Sequence, residues 1–444
     1  MTDHRPQPVN ATAPPPRIVI TAMSAVTDLG LDEKSTWEGM REGRSGIATL
    51  TGEDFDAYGD VWPVKIAGQV RNWDPTRVIE VRELKRMDRF TQLGLYAADE
   101  AFKNSGLDLS KENLERCGVI VGSGVGGIQT IEDGVGVMHK KGPDRLSPFT
   151  VPKLMVNAAS GSISIRFGLQ GPSSAHATAC ASSGHAIGDA YHIMRRGRAD
   201  VMLVGGAEAA VSPLCVGAFM TMRALSTRND EPTKASRPFD ADRDGFVLAE
   251  GAAMAVLETE AHARKRGATI LAELVGYGNS SDASHITAPD AEGRGARRSM
   301  LWALEDSGIA AGQIDYINAH GTSTSLGDDA EVAACLSVFG DHARKSAGGK
   351  LMMSSTKSMH GHCLGASGAV ELIACVHAVR DGVIAPTINL ENPGTRNDKT
   401  GEFRSFDIDL VPHTARERRI RYAMNNTFGF GGHNVTLIVG RYDG

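Results

Sequence analysis

Short apolar runs alternate along the chain with longer stretches whose apolar residues recur at helical spacing. Arg17-Ile-Val-Ile-Thr21 is a β-branched run that reads as a buried strand, and residues 117–122, 200–205, 253–257 and 314–319 share its character. Between them, residues 91–102 and 297–305 carry the three-to-four spacing of helices. Short apolar strands alternating with helices predict an α/β fold whose mainly parallel sheet is covered on both faces. Residues 421–426 and 434–439 predict a further strand pair around a Gly-rich turn.

One segment is echoed. Ser183-Gly-His-Ala-Ile-Gly-Asp-Ala-Tyr-His-Ile-Met-Arg-Arg-Gly197 resembles Ser367-Gly-Ala-Val-Glu-Leu-Ile-Ala-Cys-Val-His-Ala-Val-Arg-Asp-Gly382. Each predicts a helix that opens after Ser-Gly, keeps an apolar stripe and stops at Gly after basic residues. Each also follows a cluster of potentially reactive side chains. Two helices can agree by chance, so the echo leaves duplication and coincidence equally open. If duplication holds, the halves divide near residue 268, as 17–268 and 269–444, and two equivalent helix N-termini could face each other.

Composition narrows the functional classes. The 444 residues correspond to two or three domains or one large duplicated one. With 41% hydrophobic and 23% charged residues, wholesale disorder and collagen-like repeats are excluded. The 51 glycines, against 5% aromatic residues, point to closely approaching backbones rather than ring-filled packing. A net charge of −6 gives no global basic field for nucleic acid, though a local basic patch is compatible with it. Six Cys without a C-x-x-C pair argue against a disulfide framework and suit a reducing, cytoplasmic compartment. The longest apolar runs, such as residues 252–257, fall far short of the roughly 20 residues that span a bilayer. The first 16 residues hold five Pro and no apolar segment, so they read as a flexible tail rather than a signal peptide.

The sharpest local feature is Thr178-Ala-Cys-Ala-Ser-Ser-Gly-His185, a Cys among tiny residues directly before a helix. A helix N-terminus favours thiolate over thiol, small neighbours leave room for a carbonyl, and the Cys N–H could meet a developing oxyanion. The bland alternative is a small buried structural Cys, which is how the other five are read. Asn318-Ala-His-Gly-Thr-Ser-Thr324 stands at the end of a predicted strand, where loops collect catalytic groups. Ser354-Ser-Thr-Lys-Ser-Met-His-Gly-His-Cys-Leu-Gly-Ala-Ser-Gly368 adds Lys357, His360 and His362. A lone strand-end His is more often a hydrogen-bonded core residue, but several beside a Cys are the recipe for covalent catalysis. Asn425-Asn-Thr-Phe-Gly-Phe-Gly-Gly-His-Asn434 is a hinge, a main-chain donor loop or a plain hairpin turn.

Three patterns fail. Asp240-Ala-Asp-Arg-Asp-Gly245 opens like a calcium loop, but position twelve is Gly251, with Glu250 one place early. Gly122-Ser-Gly-Val-Gly-Gly127 lacks the Gly-Lys-Ser/Thr ending of a nucleotide loop. The histidines match no metal-site spacing, and a neighbouring Lys repels cations, so no metal is expected.

Taken in order, these motifs resemble those of the β-ketoacyl-[acyl-carrier-protein] synthases, condensing enzymes of the thiolase superfamily, and most closely the bacterial type II elongating branch. The resemblance runs from about Arg17 to the C-terminus and also includes Arg237-Pro-Phe-Asp240, Arg243-Asp-Gly-Phe-Val247 and Phe428-Gly-Phe-Gly-Gly432. It implies a thiolase-like, duplicated five-layer αβαβα sandwich, which would account for the echoed helix. It also implies two-carbon elongation of acyl chains on an acyl carrier protein, using malonyl units, in fatty acid biosynthesis. Cys180 would be the nucleophile, and the N–H groups of Cys180 and Phe430 would form the oxyanion hole. His320 and His362 would hold the malonyl thioester carbonyl, and Lys357 would tie the site together electrostatically. Thr322 and Thr324 match the pair that hydrogen-bonds the pantetheine arm. Val125 matches the position gating the acyl pocket, where Ile is usual, with Phe219 and the moving gate Phe430 alongside. Arg82, Lys85, Arg86 and Arg223 match basic positions that meet the carrier protein, or else are solvated charge. No cofactor is implied beyond the phosphopantetheine that arrives on the carrier, and the family implies a homodimer.

Two departures stand out. Thr150 sits where a Phe often lines the pocket floor, which with Val125 suggests a roomier acyl tunnel. His433 replaces the Thr often seen after the terminal Gly-Gly. Rival readings are a polyketide-type ketosynthase on a specialised carrier, a thiolase acting on coenzyme A esters, a cysteine hydrolase and a catalytically silent partner subunit.

Overall fold

The computed structural model describes residues 14–59, 61–397 and 399–444, so most of the expected 1–16 tail lies outside the described residues. Ten strands build the central sheet. Those of the first half are β1 (Ile18–Val26), β2 (Cys117–Gly122), β3 (Ser173–His176), β4 (Val201–Glu208) and β5 (Gly251–Thr259). Those of the second are β6 (Ala272–Ser281), β7 (Tyr316–Asn318), β8 (Met352–Ser354), β9 (Tyr422–Gly429) and β10 (His433–Gly440). Their order across the sheet is β8-β7-β9-β10-β6-β1-β5-β4-β2-β3.

That order contains the duplication. Numbering the strands of each half from its own start gives the sequence 3-2-4-5-1 twice, read inward from opposite edges. The pairing senses repeat as well. The three outer strands of each half run parallel, and the last two pairings are antiparallel. The halves join where β1 and β6 pair antiparallel, Ile18 opposite Leu274. The expectation of a mainly parallel sheet is therefore corrected. Five of the nine pairings are antiparallel, because each half ends in a strand pair that returns without a crossover.

The helices complete the layers. On the outer face of the first half lie α1 (Arg89–Ser105) and α2 (Ala158–Phe167). Between the halves lies α3 (Ser182–Arg195). The second half repeats them as α4 (Arg294–Ser307) and α5 (Ser325–Phe339) outside, and α6 (Ser367–Asp381) in the middle. Local chemistry sets their ends: the Asp88 carboxylate accepts the Phe90 N–H at the start of α1, and Gly106 closes it at φ 62°. The sandwich has five layers, with one apolar core around α3 and α6 and one under each outer helix pair. Residues 367–379 of α6 are all buried, so the helix needs no polar face; Glu371, Cys375 and His377, the titratable groups there, have partners.

Close approach of backbones explains part of the glycine excess. A Cβ on Gly278 of β6 would lie 2.1 Å from the Ser299 carbonyl oxygen of α4, and one on Gly188 of α3 would meet the Tyr277 ring at 2.3 Å. Gly278→Ala should therefore lower stability by about 2 kcal/mol through overpacking. Gly136→Ala, in open space within the helix Ile128–Lys141, should be neutral or stabilising by about 0.5 kcal/mol. Urea-denaturation midpoints of the two variants check both signs.

Candidate active site

The two central helices open alike. The 3-10 turn Ala179–Ala181 leads into α3 and the turn Leu364–Ala366 into α6. Each turn begins on a residue in the left-handed region, Ala179 at φ 49° and Leu364 at φ 43°. Because the halves repeat, the two openings face each other: the Ser183 hydroxyl of α3 accepts the N–H of Ala369 on α6 at 3.1 Å. Cys180 lies in the first turn, and Gly365 takes its place in the second.

This juxtaposition brings together residues far apart in the chain. Cys180 Sγ is 3.0 Å from His362 Nε2, and His362 Nδ1 is 2.9 Å from the Ser367 hydroxyl. The rings of His320 and His362 stand edge to face with centroids 5.3 Å apart. Behind them Lys357 is fully buried in an ion pair with Glu371, and its Nζ donates to the His320 carbonyl at 2.6 Å. Lys357 Nζ also lies 3.4 Å from His320 Nδ1. An ammonium only donates, so Nδ1 accepts and the His320 proton sits on Nε2.

Buried carboxylates hold the surrounding loops. Glu208 accepts from the Ser123 hydroxyl at 2.8 Å, from Gly124 N–H at 2.6 Å, and from Gly365 N–H across the molecule at 3.0 Å. Glu331 accepts the N–H groups of His320 and Gly321 at 2.9 and 2.8 Å. Asp328 takes those of Phe239 and Ser323. Burial pushes Glu331 and Glu371 up to about 7. None of these acids was singled out from sequence. A lone Glu in an apolar run, as in Ala369-Val-Glu-Leu-Ile373, was the available signal, since an unpaired buried carboxylate is too costly to occur without a partner.

Burial also sets the state of the reacting groups. It pushes the Cys180 thiol up to about 12, the nearby Lys357 charge and the N–H groups of Phe430 and Cys180 opposing it. It holds His320 and His362 well below the usual imidazole range, with the Lys357 charge adding to the effect. The expected thiolate at the helix N-terminus is thus not the resting form, because desolvation outweighs the helix field. The resting pair is a neutral thiol beside a neutral imidazole.

These side chains face a cavity of about 750 Å³. Val125, Phe219, Thr322, Thr324 and Phe430 line it as well. The hydroxyls of Thr322 and Thr324 are 3.0 Å apart, and Phe219 packs against Phe246 and Phe430 with centroids at 5.3 and 6.3 Å. Gly429 brings the end of β9 against the turn that holds Cys180, since a Cβ there would lie 2.7 Å from the Thr178 carbonyl oxygen. Arg223 stands exposed on the cavity rim. Arg82, Lys85 and Arg86 are exposed but do not line the cavity; Arg86 stacks on Phe149 at 5.1 Å. Thr150 does not line it either: its methyl faces Gly134. His433 stands edge-on to His185, with centroids 6.2 Å apart.

Fold and site together define a class: a two-half α/β protein with a buried cysteine set against two imidazoles at the junction of the halves. Models of the beta-ketoacyl synthase N-terminal domain and C-terminal domain match residues 16–263 and 271–391, and the chain belongs to the beta-ketoacyl synthase family. It is 45% identical over 425 residues to a 3-oxoacyl-[acyl-carrier-protein] synthase 2 of Coxiella burnetii, covering 96% of this chain and 98% of that protein. It is 43% identical to the protein of that name in Synechocystis, with the same coverage. Among solved structures, a beta-ketoacyl synthase of Burkholderia phymatum is 34% identical, with a TM-score of 0.85 over 96% of this chain and all of that one. A ketosynthase complex with a type II polyketide acyl-carrier protein matches at 30% identity and a TM-score of 0.85, covering 97% of this chain and 100% of that chain.

Since the Cys180 thiol rests near 12, its alkylation by iodoacetamide should quicken about tenfold per pH unit from pH 7 to 9, following the thiolate fraction. A plateau reached below pH 9 would contradict a neutral resting thiol.

Proposed function

We propose that this protein is a type II 3-oxoacyl-[acyl-carrier-protein] synthase, elongating an acyl chain by two carbons through decarboxylative condensation with malonyl-[acyl-carrier-protein]. The observation carrying this reading is Cys180 Sγ 3.0 Å from His362 Nε2, with a second imidazole alongside and the Lys357–Glu371 pair behind it. A cysteine hydrolase needs one imidazole and leaves His320 and Lys357 without a task. The polyketide alternative is disfavoured because the relatives named 3-oxoacyl synthase 2 are 43–45% identical, against 30% for the polyketide ketosynthase complex.

The chemistry follows from the geometry. Cys180 sulfur attacks the acyl thioester, and the N–H groups of Cys180 and Phe430 receive the carbonyl oxygen as it gains charge. The thiol proton ends on the departing pantetheine thiol, leaving an acyl-Cys180. Thr322 and Thr324 hold the pantetheine arm, and the chain extends past Val125 and Phe219. Malonyl thioester then binds with its carbonyl toward the Nε2 atoms of His320 and His362. Loss of carbon dioxide leaves an enolate, whose charge the two N–H donors stabilise only as it forms. The enolate carbon attacks acyl-Cys180, expelling the thiolate and releasing a ketoacyl chain, and the thiolate takes up one proton from solvent to restore the resting thiol. Neutral imidazoles suit this step, and Lys357 keeps His320 in the donating tautomer.

Arg223 on the rim, with Arg82, Lys85 and Arg86, supports docking of an acidic carrier by steering. A homodimer is supported by β3, an edge strand, by exposed Ile165 on α2, which packs on β3, and by exposed Val151 and Met155 in the segment leading into α2. Among the described residues no helix is long and apolar enough to cross a membrane.

Incubation with acyl- and malonyl-loaded carrier protein should yield ketoacyl product and acylated Cys180. Free acid without condensation would indicate a hydrolase, and turnover of coenzyme A esters alone a thiolase. Cys180→Gln should abolish condensation yet retain malonyl decarboxylation, at a rate that stays level as pH falls from 8 through 6.5. A fall centred on 6.5 would mean that the imidazoles titrate as exposed ones do. Adding His320→Ala to that variant should slow decarboxylation roughly 100- to 1,000-fold. Val125→Phe should depress elongation of long acyl primers more than of short ones; an equal loss for both would remove Val125 from the acyl path.

A further inference from the structure

His320 is held in its Nε2–H tautomer by a donor-only ammonium, but among the described residues no ammonium faces Nδ1 of His362. The atom there is the Ser367 hydroxyl, at 2.9 Å. We propose that Ser367 is a positioning residue for the condensation, its hydroxyl donating to His362 Nδ1 and so keeping the proton of that imidazole on Nε2, where the thioester carbonyl binds. The proposal rests on the function given above and assigns a task to a side chain outside the cysteine–histidine set.

A hydroxyl can donate or accept, so the direction must be argued. Ser367 is fully buried, and among the described residues its oxygen makes no other hydrogen bond. Were it to accept from Nδ1–H, its own proton would be left unpaired in the interior, and buried donors without partners are rarer and costlier than under-used acceptor lone pairs. Ser367 also opens α6, and the positive end of a helix favours the electron-rich side of a hydroxyl oxygen, which agrees with donation toward the imidazole.

The other half supplies the contrast. Ser182 holds the matching position at the start of α3, and its hydroxyl is committed to backbone: it accepts the Thr178 N–H at 2.9 Å and donates to the Ala179 carbonyl at 2.6 Å. The same serine in the duplicated frame closes the nucleophile turn in one half and sets an imidazole in the other. With Nδ1 satisfied, a single tautomer of His362 serves both stages, giving its N–H first to the Cys180 sulfur and then to the malonyl carbonyl and enolate. Without the hydroxyl, the proton can move to Nδ1, and Nε2 becomes an acceptor that cannot stabilise the enolate.

The test combines a spectrum with a rate. In enzyme carrying nitrogen-15 histidine, long-range proton–nitrogen correlation should show His362 protonated on Nε2, and Ser367→Ala should move population to the Nδ1–H form. In the Cys180→Gln background, Ser367→Ala should lower kcat for decarboxylation of malonyl-carrier protein about tenfold with KM unchanged, the effect of one hydrogen bond. Ser367→Thr, which keeps the hydroxyl, should restore both the tautomer and the rate. A wild-type His362 protonated on Nδ1, or a Ser367→Ala protein with unaltered tautomer and kcat, would overturn the proposal. If Ser367→Ala does not fold, the wild-type spectrum and Ser367→Thr still decide. The spectrum needs no substrate, so absence of condensation in every variant would sink the functional reading while leaving the tautomer assignment to be judged separately.

Discussion

The meeting of two helix N-termini between the two halves of the sheet is the constraint on which the rest of the molecule depends. α3 and α6 approach so closely that a Cβ on Gly368 would lie 3.1 Å from the Ser183 hydroxyl oxygen, and β9 closes on α3 so that one on Gly184 would lie 2.7 Å from Thr427 Oγ1. Gly206 of β4 is as tight, facing the Ser183 Cβ at 2.7 Å. Small residues here reflect geometry before chemistry. Larger side chains would part the helices and with them Cys180, in the turn entering α3, from His362, just ahead of the turn entering α6.

Two N-termini placed face to face bring positive helix ends and orphan N–H groups into one dry volume, and the lysine adds a full charge. The chain answers with buried acids. Glu208 gathers N–H groups from both halves, Glu331 gathers those that carry His320, and Glu371 pairs with Lys357. Each acid is itself raised by burial. The same dryness that raises the acids keeps the thiol protonated and the imidazoles neutral. A site built this way responds to charge that appears during reaction rather than holding charge at rest, which is what enolate formation requires.

Much of the architecture was legible in the residues. The β-branched runs of β1, β2, β4, β5 and β7 and the helical spacing of α1 and α4 mark themselves, because burial on both faces demands unbroken apolar residues. β3, β6 and β8 did not: Ser173-Ser-Ala-His176 is a polar edge strand, β6 is interrupted by Gly where α4 presses on it, and β8 is only Met352–Ser354. The parallel sheet was overdrawn for a related reason. Apolar strands read alike whichever way they run, and direction is set by the connections. The echo between the two central helices was visible, yet only the repeated strand order turns it into a duplication.

Cys180, His320, Lys357 and His362 could be named from motif and order, since small residues around a cysteine and histidines at strand ends are local features of the chain. Their protonation could not. The sequence suggested a thiolate from the helix end beside Cys180, whereas the fold removes that cysteine from water and makes the thiol the resting form. The roles of Glu208, Glu331 and Glu371 were hidden likewise, and so was the place of Ser367 on the far side of His362. Residue identity and local spacing are carried along one dimension. Desolvation and hydrogen-bond partnership depend on how the chain folds back on itself, over 5 residues for His362 and Ser367 and over 182 for Cys180 and His362, and burial follows once the two halves close on each other.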